Sequence, residues 1–315
     1  MPSVYVICPD VNLPSGGIMK LYQLVDILNA NEIESFIVHH KKNFKADWFK
    51  NSTNSTDLQS IAVKKDDLLV FPEVMGSDIP NYFPGVKKII FCQNSVYALQ
   101  NFYGRQQKME AVYYHQDVVQ VLVVSAYDYD FLKWLFPKIN ITRIWYGIDE
   151  KLFNFNPFKK KTIAVMPRKL ASDQIFLDNL LKVKDVLQNF SITVIDNMPF
   201  EQCAEIIRDA TIFLSFSDRE GFGLPPAEAM ACGCIVIGYH GQGGKEFFKE
   251  NLTFPIEHGD MLEFAKQISN IIELSNTNPE IISQIGKAAS TYILNEYSIV
   301  KQEESILTAI RKVLQ

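Results

Sequence analysis

The sequence contains no apolar run approaching the ~20 residues that a membrane-spanning helix requires. It also lacks any excess of positive charge: 31 Lys and Arg stand against 36 Asp and Glu, a net charge of −5. That balance gives no electrostatic ground for a polyanion, so nucleic acid is not an expected partner and a transferase acting on it is disfavoured. Cysteine is scarce and scattered. Cys8, Cys92, Cys203, Cys232 and Cys234 are odd in number and form no CxxC pair, which excludes a disulfide scaffold or a zinc ribbon and fits reduced, buried thiols. No basic leader precedes the strand-like residues 4–8, so a cytoplasmic protein is expected, and sequon-like triplets such as Asn51-Ser52-Thr53 carry no weight. The histidines His39, His40, His115, His240 and His258 show no zinc-ligand spacing. There is no internal repeat, no low-complexity tract and no GxGxxG fingerprint.

What is present is ample apolar material, 47% of 315 residues, in a chain longer than one hydrophobic core usually fills. Short β-branched runs alternate with helical periods. Residues 4–8, 35–38, 67–71, 88–92 and 121–124 read as strands, and 18–28 carry apolar residues at helical spacing. Several runs are apolar without alternation, which suits parallel strands covered on both faces and hence a doubly wound α/β arrangement. The stretch 151–161 is rich in Asn, Pro and Lys and reads as a linker. The same grammar then restarts at 162–166, 191–195, 211–216 and 235–238, and 298–315 form a closing helix. Two Rossmann-like domains follow as the expectation, over 1–150 and 162–297, with the closing helix packing back on the first.

The densest chemistry lies in 211–244. An apolar strand runs into Glu220-Gly221-Phe222-Gly223-Leu224-Pro225-Pro226, followed by a helix over 227–231 that stops at Gly233. Proline near the first helical turn and glycine past the last are the expected punctuation. Gly221 and Gly223 let a loop backbone approach a ligand. A helix N-terminus with unpaired N–H groups suits a diphosphate. Glu228, expected in the first helical turn, and Glu220 in the loop are acceptor-only groups suited to sugar hydroxyls.

The run from Glu220 to Met230, with two glutamates separated by seven residues, resembles glycosyltransferase family 4, whose members have the GT-B fold of two facing Rossmann-like domains. The resemblance implies a retaining, metal-independent sugar transfer from a nucleotide diphosphate sugar to a saccharide or lipid-linked acceptor, in cell-surface polysaccharide or glycoconjugate synthesis, with no cofactor. It places Glu228 on the ribose and Glu220 on the hexose, with Gly221, Phe222, Gly223 and Leu224 lining the donor. Gly16-Gly17 matches the loop that brings amides to the donor phosphates, and Gly243-Gly244-Lys245-Glu246 a glycine-rich loop whose Glu246 is a sugar-side contact. Val123-Val124-Ser125 and Tyr146-Gly147-Ile148-Asp149 match the family's exit from the first domain.

The chain departs from the family in two places. Instead of an arginine followed a few residues later by a lysine, Arg168 and Lys169 are adjacent, and both are assigned to the pyrophosphate, Arg168 with a catalytic role beside Glu220. Where many members have a histidine near the acceptor, Gln93 and Asn94 stand. Asp128-Tyr129-Asp130 has the spacing of a metal-binding pair, but Ser125 three residues earlier reads as a helix cap. Between 41 and 50, Lys41, Lys42, Lys45 and Lys50 interleave with Phe44, Trp48 and Phe49, the chemistry of a segment resting on an anionic bilayer or of a loop with inward aromatics. A non-catalytic nucleotide-sugar-binding scaffold and a nucleotide-sugar epimerase on the same fold are the alternatives.

Overall fold

The computed structural model describes residues 2–100, 110–167 and 169–315. They form two compact units, Met1–Trp145 with Gln302–Gln315, and Tyr146–Lys301.

The first unit is built on seven strands: β1 Val4–Ile7, β2 Ser35–His39, β3 Ser55–Asp57, β4 Leu68–Pro72, β5 Lys87–Cys92, β6 Val118–Val123 and β7 Ile141–Arg143. They lie in the order β3-β2-β1-β4-β5-β6-β7, all pairings parallel. β1 and β4 are buried along their whole length, which explains why their sequences are apolar without alternation. The helix Gly16–Ala30 presents Ile18, Leu21, Val25 and Leu28 to the core, with Ser15 accepting from the Ile18 amide as its cap. Gly16 and Gly17 are therefore the first helical turn, not a loop before the helix. Residues 302–315 join this unit through Lys20 to Gln302 (3.0 Å), Asn31 to Glu303 (2.8 Å), the Trp145 amide to Ser305 Oγ (3.0 Å) and Lys87 to the Val313 carbonyl (2.7 Å).

The second unit holds β8 Lys160–Val165, β9 Ser191–Val194, β10 Ala210–Glu220, β11 Ile235–Gln242 and β12 Thr253–Pro255, in the order β12-β11-β10-β8-β9 and again all parallel. β8 begins inside the stretch read as linker, because the lysines of its first turn are exposed and polar before the apolar run starts. Ile163, Val165, Ile212, Leu214, Ile235 and Ile237 pack with Leu177, Leu181, Phe264 and Ile268 from the helices Ala171–Val183 and Met261–Thr277.

In each sheet the strand order reverses once, between β1 and β4 and between β8 and β10. Ligands of open parallel sheets bind outside the carboxyl ends of the strands at such points.

At the opposite edge of the first sheet, Lys88 is fully buried and donates to Asp117 Oδ2 and to the Phe83 and Val86 carbonyls, each at 3.1 Å. Asp117→Ala strands that ammonium without its anion and is expected to cost about 3–5 kcal/mol in urea denaturation. Adding Lys88→Met should recover most of that loss; a double variant no more stable than Asp117→Ala would contradict this reading.

Candidate functional site

β10 is the longest strand of its sheet, and its last residues are deformed. The register with β11 shifts between Ser217 and Glu220, and Arg219 adopts a positive φ of 47°. A bulge re-aims the residue that follows it, and a non-glycine residue in the left-handed region is strain that local structure must hold in place. The result presents Glu220 at the β8/β10 reversal. There Lys169 Nζ lies 2.8 Å from Glu220 Oε1 and donates to the Asp218 carbonyl at 3.0 Å. Both side chains of the pair are about one third exposed, 33% and 32%. Arg168, assigned to the same pyrophosphate, lies outside the described residues.

The helix after the loop runs Leu224–Ala231, three residues earlier than its sequence pattern suggests, and Gly223 caps it with φ 94°. Only glycine adopts that conformation freely. Glu228 is thus the fifth helical residue rather than a first-turn residue, and is 7% exposed. Its charge raises the thiol pKa of Cys203, after the larger effect of burial. Pro225 and Pro226 remove two of the four N–H groups that a helix start normally presents. The Ala227 amide meets the Gly223 carbonyl at 3.5 Å. Backbone hydrogen bonds to an anion here would come from the Gly221–Leu224 amides, with the helix dipole supplying field but few donors.

Phe222, expected to line the donor, is 3% exposed. Its ring sits among Tyr146 (5.6 Å), Phe247 (5.1 Å) and Tyr297 (5.0 Å), so the side chain anchors the loop, and only its backbone is available to a ligand. Leu224 is partly exposed at the helix start. After β11 the short turn Gly243–Glu246 packs Gly243 so closely on the Gly221 carbonyl that no Cβ fits. Glu246 Oε1 accepts from the Tyr297 hydroxyl at 2.8 Å, so one of its oxygens already serves the protein.

In the first unit the Gln93 side chain donates from Nε2 to the Gly17 carbonyl at 3.1 Å, which brings together two of the residues singled out in the sequence. Asn94 is buried and its Oδ1 accepts from the Val96 amide. Beneath them lies Glu73, which begins the turn after β4 and is 3% exposed. Its Oε2 accepts from the Gln93 amide at 3.1 Å. Burial pushes its pKa up to about 8, with Asp128 adding to the rise, against the opposing pull of the backbone N–H groups of Gln93, Glu73 and Asn94. Sequence reasoning missed Glu73; the available signal was an acid directly after a fully apolar strand.

Asp128 is buried, its amide donates to Ser125 Oγ at 3.1 Å, and its Oδ1 accepts from the Ser95 amide at 3.0 Å. Ser125 is the cap of this helix and Asp128 anchors the loop after β5, while Asp130 is exposed. Among the described residues no group of three or more His, Cys, Asp or Glu side chains forms a metal site. In the lysine-rich segment, the Phe44 ring packs on His39 (4.7 Å), Trp48 on Phe49 (4.5 Å) and Phe49 on Tyr22 (5.3 Å). The aromatics turn inward; Lys41, Lys42, Lys45 and Lys50 stay exposed. His39 is held by the Tyr22 hydroxyl (2.8 Å) and by Asp10 (3.1 Å), which also accepts the His40 and Lys41 amides. Among the described residues no helix is long and apolar enough to cross a membrane.

Residues 181–289 match the family model described as Glycosyl transferases group 1. Over 229 residues the chain is 27% identical to an alpha-1,6-glucosyltransferase of Actinobacillus pleuropneumoniae serotype 7 (strain AP76), a match covering 68% of this chain and 66% of that relative. Just under two thirds of the relative's length is therefore represented. Among solved structures, a sucrose-phosphate synthase from Thermosynechococcus elongatus superposes with a TM-score of 0.71 at 15% identity, covering 99% of both chains. A glycosyltransferase from Rickettsia africae gives 0.70 at 15%, covering 100% and 99%, and Anabaena HepE with UDP and glucose gives 0.66 at 10%, covering 99% and 100%. The fold is GT-B.

The Glu73 carboxyl generates a pH-dependent stability. Unfolded, it ionises near 4.5; folded, near 8, so across that interval the folded chain holds a proton that the unfolded chain has released. The associated stability is whole below the unfolded value and is lost as pH rises through the folded one. Glu73→Gln cannot ionise, so its melting temperature relative to the parent should climb from pH 5 to pH 8.5. A gap that stays constant over that range contradicts the assignment.

Proposed function

We propose that the protein is a retaining glycosyltransferase that moves a hexose from a nucleotide diphosphate sugar to a saccharide or lipid-linked acceptor. The observation that carries the reading is the junction at the β8/β10 reversal, where Lys169 pairs with Glu220 and the loop Gly221–Leu224 leads into the helix bearing buried Glu228. HepE, solved with UDP and glucose, and the glucosyltransferase relative make UDP-glucose the first donor to try.

Transfer from such a donor builds positive charge at the anomeric carbon and negative charge on the departing diphosphate. In this reading Lys169, Arg168 and the loop amides stabilise the diphosphate, which needs no metal. A diphosphate reaching this edge competes with Glu220 for the Lys169 ammonium. Glu220 is then released to accept from hexose hydroxyls, while Glu228 accepts from the ribose. No protein nucleophile is assigned. Gln93 and Asn94 serve the acceptor, and Gly16-Gly17 the donor phosphates.

A thermal-shift screen against UDP, GDP, ADP and their sugars, followed by transfer assays with and without EDTA, tests the function. Stabilisation by one nucleotide family and chelator-resistant transfer are expected; absence of both removes the proposal. Release of an epimerised donor with no acceptor present points instead to an epimerase.

The two glutamates are expected to fail differently. Glu228→Gln should weaken free nucleoside diphosphate by about ten- to a hundredfold, since a hydrogen bond to a charged group is worth roughly 1.5–3 kcal/mol. Glu220→Gln should not weaken diphosphate binding, and by freeing Lys169 should tighten it slightly, while it depresses turnover of intact donor, where hexose placement governs the reacting geometry. Calorimetry with diphosphate and with donor separates them; the opposite pattern inverts the assignment.

For a lipid-linked acceptor, the four exposed lysines between 41 and 50 offer a purely electrostatic contact with an anionic bilayer. Weak, salt-sensitive sedimentation with phosphatidylglycerol vesicles should disappear when all four become Ser. Phe44→Ser should not abolish it, because that ring faces His39. Equal pelleting of parent and quadruple variant would remove the contact.

A further inference from the structure

The loop after β5 is gripped from both sides by acids that do not belong to it. The backbone amides of Gln93 and Asn94 donate to Glu73, which follows β4. The next amide, that of Ser95, donates to Asp128, in the helix Ala126–Leu135 that follows β6. Three successive N–H groups are thereby used, and Gln93 is left with its side chain directed to the Gly17 carbonyl.

We propose that Glu73 is a positioning residue for the acceptor side of the reaction, setting the Gln93 side chain through two consecutive backbone amides. It rests on the reading of Gln93 as an acceptor-side group.

Glu73 is suited to this role because it is buried and its accepting oxygens are fixed by the turn Glu73–Asn81. The titratable groups around it among the described residues are Cys92 of β5, Tyr113 of the short helix Glu110–Tyr113, and Asp128. Burial drives the Cys92 thiol and the Tyr113 phenol well above their ordinary values, so neither ionises in the range where Glu73 does. A second negative charge arriving beside Asp128 in this apolar setting draws water or a countercharge and loosens the grip on the loop. The acceptor should then bind less well on the alkaline side.

The test compares the parent, Glu73→Leu, Glu73→Gln and Gln93→Ala at pH 6.5 and pH 9. Three readouts are taken: hydrogen exchange of residues 92–98 corrected for intrinsic rates, UDP binding, and transfer from UDP-glucose to p-nitrophenyl glucoside. Glu73→Leu removes the accepting oxygens. At pH 6.5 it should speed exchange in the loop and raise acceptor KM, each by about tenfold, the equivalent of one or two lost hydrogen bonds, while kcat and UDP binding stay within about twofold. Glu73→Gln keeps an accepting oxygen and should rescue both effects. At pH 9 the parent should show faster loop exchange and a higher acceptor KM, and Glu73→Gln should not.

Equal alkaline loosening of the parent and Glu73→Gln overturns the proposal even if the glucoside is not turned over. So does a parent-like loop and acceptor KM in a folded Glu73→Leu. If Gln93→Ala raises acceptor KM while Glu73→Leu does not, the positioning role falls and the acceptor reading stands. An unchanged KM in a folded Gln93→Ala removes the acceptor reading, and the inference with it.

Discussion

Every described strand pairing in both sheets is parallel, and the arrangement of functional groups follows from that constraint. Parallel strands need a crossover to return the chain to the starting edge, so successive loops at the carboxyl edge stand side by side although they are distant in sequence. In the first unit this brings Gly17, Glu73, Gln93 and Asp128 to one rim from four separate crossovers. In the second, Lys169 meets Glu220 across 51 positions of sequence because β8 and β10 are neighbours. The strand order also matters. Only at a reversal do two neighbouring loops diverge to opposite faces of the sheet and leave room for a ligand between them.

The two rims use charge in opposite ways. Lys169 and Glu220 are partly solvated, so their attraction is weak and an incoming anion can displace Glu220 from the Lys169 ammonium at little cost. Glu73 and Asp128 are enclosed, and each accepts from backbone amides of the loop after β5, which cannot rotate away. The first pair is suited to exchanging partners during binding, the second to holding geometry.

The apolar strands were legible because complete burial leaves unbroken runs of aliphatic and aromatic residues, as in β1, β4 and the middle of β10. β3, β7 and β12 were not, since three residues at or beside a sheet edge carry no period. The glutamate motif stands out through its spacing with the glycines, while the true start of its helix at Leu224 is masked because two prolines look like a boundary rather than a first turn. The burial of the Phe222 ring has no local signature, because Tyr146 and Tyr297 reach it from 76 and 75 residues away. Glu73 carries no distinguishing local signal, since one acid after a strand is ordinary. Its significance comes from Asp128 and the loop amides, and proximity in space has no local signature.

The assignment of residues 302–315 to the first unit has a consequence for biosynthesis. A ribosome makes residues 146–301 before it makes the segment that supplies Gln302, Glu303 and Ser305 to Lys20, Asn31 and the Trp145 backbone. The unit that starts first is therefore completed last, while the intervening unit is the one able to mature as a continuous piece of chain. Until the last helix emerges, the buried ammonium of Lys20 and the adjoining helix surface wait for their cover. Nascent chains stalled or cleaved within residues 302–315 would expose the first unit to proteolysis while leaving the second intact.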